Sequence, residues 1–353
     1  MTQLSPETSS SLTIQAFEGD PGEWDALVRE APEGTVFHLY AWNEVLQAGL
    51  GHKTRQVAAR DPDGSLVGVL PLVRVRSLLF GDYLMSMPFL NYGGPVGLPE
   101  ARRLLGDWAV EEARRLGVDV LELRNSMPLP GDLETTDRRI TVKLSLPDDP
   151  KVLWEDVLRS KVRSQVRRPM KEGMEARIGG GELLDDFYEI FAITMRSLGT
   201  PVLPKAFFEA IFEHLPDEVL ACTVQHEGQA VAAGLGFLYQ GQYEITWAGA
   251  LREHSRLAPN MLLYWSLMEA CVERGAAVFD FGRCSPGSGT HRFKKQWGGE
   301  DHPLPWNQWS PPGKEGGPPD PDDPKYRMAV ALWTRLPLPV TRIVGPRISR
   351  LLP

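Results

Sequence analysis

The 353-residue chain contains no uninterrupted apolar run of the ~20 residues that a membrane-spanning helix needs. Its opening stretch, Met1 to Thr13, lacks both a basic residue and an apolar segment, so no export signal is read there and a cytoplasmic location is expected. Positive charge is not in excess. Lys+Arg number 38 against 46 Asp+Glu, a formal charge of −8, so no chain-wide field draws nucleic acid and no DNA partner is expected. Cysteine is scarce: Cys222, Cys271 and Cys284 form no CxxC pair and no even-numbered framework, which suits a reducing compartment. The seven histidines are scattered without ligand spacing, and no metal centre is expected. What remains, 42% hydrophobic and 24% charged residues, is ordinary for a globular chain long enough for two domains.

Proline and glycine cluster late. Ser310 to Pro324 reads SPPGKEGGPPDPDDP, which cannot bury a core and is expected to form a linker over 310–324. The tail 325–353 carries Lys325, Arg327, Arg335, Arg342, Arg347 and Arg350 and no acid. Apolar residues interleave with these, and Pro337, Pro339 and Pro346 forbid one long helix. Such a segment suits peripheral contact with the inner face of a membrane. The alternative is a tail that packs back on the body.

The body repeats itself. TRQVAARDPDGSLVGVLPLV reads as a hairpin turning at Asp63-Gly64, followed by a helix from about Glu100 to Leu116, Gly117 and the strand VDVLELRN. VLACTVQHEGQAVAAGLGFLY repeats the hairpin at Glu227-Gly228. The strand YEITWAG, a helix of about Pro259 to Arg274, Gly275 and the strand AAVFDFGR follow. Both copies place a carboxylate, Glu122 or Asp280, five residues after the glycine. Two copies of one α/β unit are expected, residues 13–165 and 166–309, with their join in Lys151 to Glu175 and a disordered stretch over 1–12.

Three segments carry candidate chemistry. In SKVRSQVRRPMK, Arg163, Arg167 and Lys171 follow at i, i+4 and i+8 with Lys161 nearby, a basic row that an anionic ligand would relieve. A solvated helix is the plainer reading. In FDFGRCSPGSGTHRFKKQWG, Asp280 is a candidate base or one half of a buried ion pair with Arg283 or a lysine. The Gly/Ser loop after it can bring backbone N–H groups to an oxyanion. Cys284 is a candidate nucleophile, although its nearest histidine in sequence is His291. In MPFLNYGGP, Asn91 and Tyr92 precede tandem glycines suited to a tight loop beside a pocket. Trp247 is a further candidate for its wall.

The order NYGGP, SKVRSQVRR, FYEIFAITMRSLGTP, WAGALREHSRLAPNMLLYW, FDFGRCSPGSGTHRFKKQWG resembles Fem-type proteins of the GNAT superfamily. More narrowly it is similar to the FemAB-related proteins associated with exosortase/PEP-CTERM systems, tail included. The resemblance covers roughly residues 13 to 308. It implies an α/β fold of two tandem GNAT-like domains, each a mixed sheet flanked by helices. It also implies N-acyl or aminoacyl transfer to an amine of a cell-envelope or exopolysaccharide precursor. The family's FK pair maps onto Phe293 and Lys294, which implies that Lys294 stabilises the transferred acyl group's oxyanion and that Phe293 packs beside that group. Asp280 completes the expected catalytic set. Lys161, Arg163, Arg167, Asn91, Tyr92, Trp247, Asn260, Arg283 and Arg292 are expected to bind substrate. No prosthetic group is implied, and the donor is open between aminoacyl-tRNA and acyl-CoA. The long helical arm of tRNA-dependent relatives is absent from 175–308. The [QR]xxGx[GA] pyrophosphate loop of acetyl-CoA enzymes is replaced by RLAPN at Arg256–Asn260. A non-catalytic binding or scaffold protein with the same fold is the alternative.

Overall fold

The structure is a computed structural model and describes residues 12–77, 80–136, 139–314 and 324–352. Residues 1–11 of the expected disordered stretch and most of the linker therefore lie outside the described residues.

The first unit runs β1 (Thr13–Ala16), α1 (Pro21–Glu30), α2 (Trp42–Leu50), β2 (Thr54–Arg60), β3 (Leu66–Ser77), β4 (Gly81–Met85), β5 (Val96–Gly97), α3 (Pro99–Leu116), β6 (Val120–Leu123) and β7 (Glu134–Thr136). After β8 (Ile140–Ser145), the single turn α4 (Pro150–Val152) and α5 (Ser160–Lys171), a second unit repeats the order. It comprises β9 (Glu175–Gly179), α6 (Leu184–Leu198), α7 (Lys205–His214), β10 (Val219–His226), β11 (Gln229–Tyr239), β12 (Gln242–Ala250), α8 (Pro259–Glu273) and β13 (Val278–Cys284). The short α9 (Gly289–Lys295), β14 (Glu300–Pro303) and β15 (Trp306–Trp309) follow, then α10 (Pro324–Arg335) and α11 (Leu338–Ser349). The hairpin turns fall where glycine permits a left-handed backbone, at Gly64 (φ 86°) and Gly228 (φ 79°). Proline opens both α3 and α8, where its missing N–H costs nothing, and Gly117 and Gly275 follow them with positive φ.

Two mixed sheets result, so the expected fold class holds. One has the order β1-β2-β3-β4-β6-β15-β7 with β5 beside β3, the other β14-β8-β13-β12-β11-β10-β9. The sheets exchange strands across the expected boundary. Chain crosses into the second sheet between Thr136 and Ile140, ahead of residue 165, because β8 pairs with β13 and β14. It returns at the end, where β15 inserts between β6 and β7.

Helix α3 covers the outer face of the first sheet, while α8 and α5 cover that of the second. Between the sheets lies a core drawn from both units, in which Trp42 meets Phe237 at 5.5 Å and Phe207 at 6.4 Å. Helices α2 and α7 touch so closely there that a Cβ on Gly49 would sit 2.4 Å from the Phe207 Cα.

The tail folds back. α10 and α11 both lie on α6, with Arg196 Nε donating to the Leu336 carbonyl at 2.6 Å and Arg342 paired with Glu189. Among the described residues no helix is long and apolar enough to cross a membrane.

Candidate active site

The site grows from a parallel pairing that stops short. β12 and β13 stay in register only through Gln242–Val278, Tyr243–Phe279 and Glu244–Asp280. Beyond that point β12 follows β11 and β13 follows β8, and the strands part. Two features force the split. The β11–β12 register skips Thr246, a bulge that turns the strand. Gly282, with φ 71°, lets β13 pass the Ile245 carbonyl where a Cβ would stand 2.8 Å from it.

A cleft of about 530 Å³ fills the gap. Ile245, Thr246, Trp247, Phe281, Gly282 and Arg283 of the parted strands are among its lining, together with Lys294 and Asn91. Lys294, on α9 and only 4% exposed, donates from Nζ to the Gly282 carbonyl at 2.5 Å and the Arg283 carbonyl at 2.9 Å. An ammonium has three N–H donors, so one remains for a ligand. Burial lowers the pKa of this amine. Thr246 lines the same cleft, and its hydroxyl is buried with no hydrogen-bond partner. The third N–H of Lys294 and the Thr246 hydroxyl are thus left without a protein acceptor.

Behind the cleft lies a buried acid pair. Asp280, wholly buried, accepts from Tyr92 OH at 3.1 Å, from the Thr141 hydroxyl and from Gly282 N at 2.8 Å, with Lys143 Nζ 3.7 Å away. Of the two expectations for Asp280 this is the buried ion pair with a lysine, and the residue lines no described cleft. Its bond to Gly282 N anchors one side of the residue whose carbonyl accepts from Lys294. Glu244 accepts from Asn91 Nδ2 at 2.5 Å, and its Oε2 is buried without a partner. Burial first, and then the charge of Asp280, push the Glu244 carboxyl well above the usual carboxylate range. Tyr92 is pushed well above the usual phenol range by the same causes, so its hydroxyl keeps its proton.

Asn91 and Tyr92 reach this pair from the first unit. The loop after β4 adopts positive φ at Met87 (46°) and Phe89 (69°), conformations that persist only where surroundings impose them. Arg124 imposes them, donating to the Met87 carbonyl at 3.2 Å and the Leu90 carbonyl at 2.8 Å. Trp306 anchors the far side. Its indole donates to the Asn91 carbonyl at 3.0 Å, and the guanidinium groups of Arg124 (4.9 Å) and Arg283 (5.5 Å) both lie over its ring. Consecutive side chains then face different spaces. Asn91 lines the Lys294 cleft, whereas Tyr92, Glu244 and Lys143 line a second cleft of about 290 Å³.

The structure brings Lys294, Asn91, Trp247 and Arg283 to one cleft, with Tyr92 and Asp280 in its supporting wall. It places the other candidates elsewhere. Phe293 packs edge-on against Tyr264 at 5.0 Å, anchoring α9 to α8 instead of lining the cleft. The basic helix α5 lies on the outer face of the second sheet through Val162 and Val166. There Arg163 donates to the carbonyls of Trp154, Glu155 and Leu158, Arg167 stacks over Trp154 at 5.1 Å, and Lys161 is exposed. The charges of Arg163 and Arg167 are met by carbonyl oxygens and an aromatic face. Asn260 opens α8 away from both clefts, and the exposed Arg292 bonds the Gly287 carbonyl. Burial raises the pKa of Cys284, and His291 is engaged with Asp301, so no Cys-His pair forms. Among the described residues no cluster of His, Cys, Asp and Glu is arranged to hold a metal. Glu244, Thr246, Lys143 and Thr141 were not among the sequence candidates. Only Glu244 carried a signal there, a carboxylate inside the apolar strand YEITWAG like that of Asp280.

Residues 159–295 match the family described as Acetyltransferase (GNAT) domain. No curated protein matches the sequence at a significant level. Among solved structures the chain is similar to FemX, at 16% identity and TM-score 0.62 over 90% of this chain and 100% of that one. It is also similar to the C-terminal domain (DUF2156) of a putative lysylphosphatidylglycerol synthetase from Agrobacterium fabrum, at 12% identity and TM-score 0.57 over 88% and 96%. A tandem GNAT protein from the clavulanic acid biosynthesis pathway matches at 14% identity and TM-score 0.54 over 88% and 100%. These likenesses carry the fold: two GNAT-type units in tandem.

Proposed function

We propose that the chain is an N-acyltransferase or aminoacyltransferase acting on an amine of a cell-envelope or exopolysaccharide precursor. The observation that carries this reading is the Lys294 ammonium in the cleft where β12 and β13 part, with one N–H beyond its two carbonyl bonds, and the unpartnered Thr246 hydroxyl on a residue of the same cleft. A carbonyl oxygen placed between them gains an ammonium and a hydroxyl as it becomes an oxyanion. Asn91 directs its amide N–H to Glu244, which leaves its amide oxygen to accept from the attacking amine. In the step, amine nitrogen bonds the acyl carbon, the bond from that carbon to the carrier breaks, and the carrier takes a proton while the amine loses one. Glu244, whose carboxyl is pushed well above the usual carboxylate range and which Asn91 links to this cleft, is the group suited to exchange it.

The reading leaves the donor open between aminoacyl-tRNA and acyl-CoA. It places the enzyme in the cytoplasm with a peripheral seat on the inner membrane. The narrower likeness to exosortase-associated FemAB-related proteins supports an exopolysaccharide or envelope acceptor. The test supplies the full chain with envelope precursors and radiolabelled aminoacyl-tRNA or acetyl-CoA, and follows label into an amide. Transfer should fall by about two to three orders of magnitude in Lys294→Ala, the scale of losing an oxyanion donor. A Lys294→Ala protein as functional as the parent would leave the chain a binding or scaffold protein.

A further inference from the structure

The tail hairpin settles one face on α6 and leaves the other uncovered. Its seat is specific: a Cβ on Gly199 would lie 2.4 Å from Val330 Cγ1, and one on Gly345 would lie 3.0 Å from the Val202 nitrogen. Yet Met328 (62% exposed), Leu332 (59%) and Ile343 (62%) are the most exposed large apolar side chains of the described residues, and all three belong to this hairpin. A tail needed only to cover the body would turn such residues inward, since each buried apolar side chain contributes to folding. Arg327, Arg335 and Arg347 are exposed on the same two helices and Arg350 just after them, and the sequence 325–353 contains no acid. Apolar side chains interleaved with arginine, on short helices lying flat on a body, match the interface of an anionic bilayer. A second protein would require a shaped counter-surface, whereas lipid does not.

The hairpin also reaches the cleft. Ser349 and Leu352 line it beside Lys294, and so does Leu198, which is 57% exposed. From these contacts we infer that α10 and α11 dock the protein on an anionic membrane with the rim of the Lys294 cleft at the lipid surface, so that one of its substrates is an amphiphile held in that membrane. The docking stands without the transfer reading; the substrate half rests on it.

The experiment is co-sedimentation of the full chain with vesicles of phosphatidylglycerol and phosphatidylcholine in equal parts, and with phosphatidylcholine alone. Binding should require the anionic lipid and weaken as salt is raised. It should fall by at least about tenfold in Met328→Glu/Leu332→Glu/Ile343→Glu, and by up to about fivefold for each exposed arginine changed to glutamine. These side chains are exposed, so the thermal midpoint should stay at the parent value, which separates lost docking from lost folding. Equal vesicle binding by parent and triple variant overturns the inference, as does no binding at low salt. A vesicle-free doubling of the 39.3 kDa mass that the triple variant abolishes also overturns it, by assigning the face to a second copy. The substrate half is read separately. With transfer established on soluble precursors, failure of vesicles to stimulate the parent over the triple variant overturns that half alone. Docking without any transfer counts against the acyltransferase reading and not against the membrane face.

Discussion

Glu244 faces Asp280 across the last register pair that holds β12 to β13. The first unit places Met85 opposite Glu122 at the same point of its own parallel pair, β4 with β6. There Glu122 is neutralised by Arg124 at 2.8 Å and bonded by Gln308 at 3.1 Å. One copy of the fold has therefore discharged this position, and the other has doubled its acid and opened a cleft beside it.

Replacing the doubled acid tests what it costs. The folded protein keeps a proton on Glu244 at pH values where the unfolded chain, with an ordinary glutamate near 4.5, has released it. Stability from this group is therefore full below that value and is lost as pH rises toward the raised folded one. Glu244→Gln does not titrate and still accepts from Asn91. Its stability relative to the parent should be level near about pH 4 and rise by about 1–3 kcal/mol at mildly alkaline pH, while transfer falls. Urea denaturation at several pH values measures it, and a constant difference between the two proteins would remove the linkage.

Thr246→Val keeps the shape of the side chain and removes a buried hydroxyl that bonds nothing in the protein. Deleting an unpaired polar group should leave stability unchanged or raise it by about 1 kcal/mol. Transfer should drop about tenfold or more, since the hydroxyl is assigned to the oxyanion. A variant that loses stability and keeps full activity would show that Thr246 has a structural partner instead.

His38 supports the strained loop from below, with Nε2 donating to the Gly94 carbonyl at 3.0 Å and Nδ1 accepting from Thr35 N at 3.1 Å. Burial pushes its pKa from 6.5 down to about 4. The neutral ring is the bound form, so its contribution is present above 6.5 and is lost as pH falls toward 4. Proton NMR of the imidazole should give a midpoint near the lower value; a midpoint near 6.5 would mean that the ring is not held as described.

Gly49→Ala places a methyl against the backbone of Phe207 in the other unit. Separating α2 from α7 should cost about 1–3 kcal/mol. Because the core there belongs to both units, the loss should appear in a single unfolding transition. Two transitions, with only one moved, would show the units melting independently.

Much of this was legible in the chain. The hairpins at Asp63-Gly64 and Glu227-Gly228, both helix-glycine-strand runs and the Asn91-Tyr92 loop follow from local rules of turn and cap, and the structure places them as read. Lys294 came from a motif and lines the cleft, and Asp280 came from a charge in an apolar strand and lies buried behind it. The basic row of α5 misled because spacing shows that charges share a helix face and not which layer that helix covers. Arg163 is spent on carbonyls that sequence cannot bring near it. Thr141 and Lys143 were invisible because their place beside Asp280 depends on β8 crossing to the other sheet. Thr246 depends on a bulge, which one strand's pattern does not announce.

The late return of β15 to the first sheet bears on how the protein is made. β7 ends at Thr136 and its neighbour in the sheet begins at Trp306, so roughly 170 residues must be synthesised between them, about 10–30 s at ordinary elongation rates. Throughout that interval β6 and β7 present backbone groups with nothing to pair to, on a nascent chain that already holds most of its first core. Open strand edges of this kind recruit other edges. The ribosome-bound protein therefore faces its greatest risk of aggregation before Trp309 emerges, and holdase chaperones would act on it during that window.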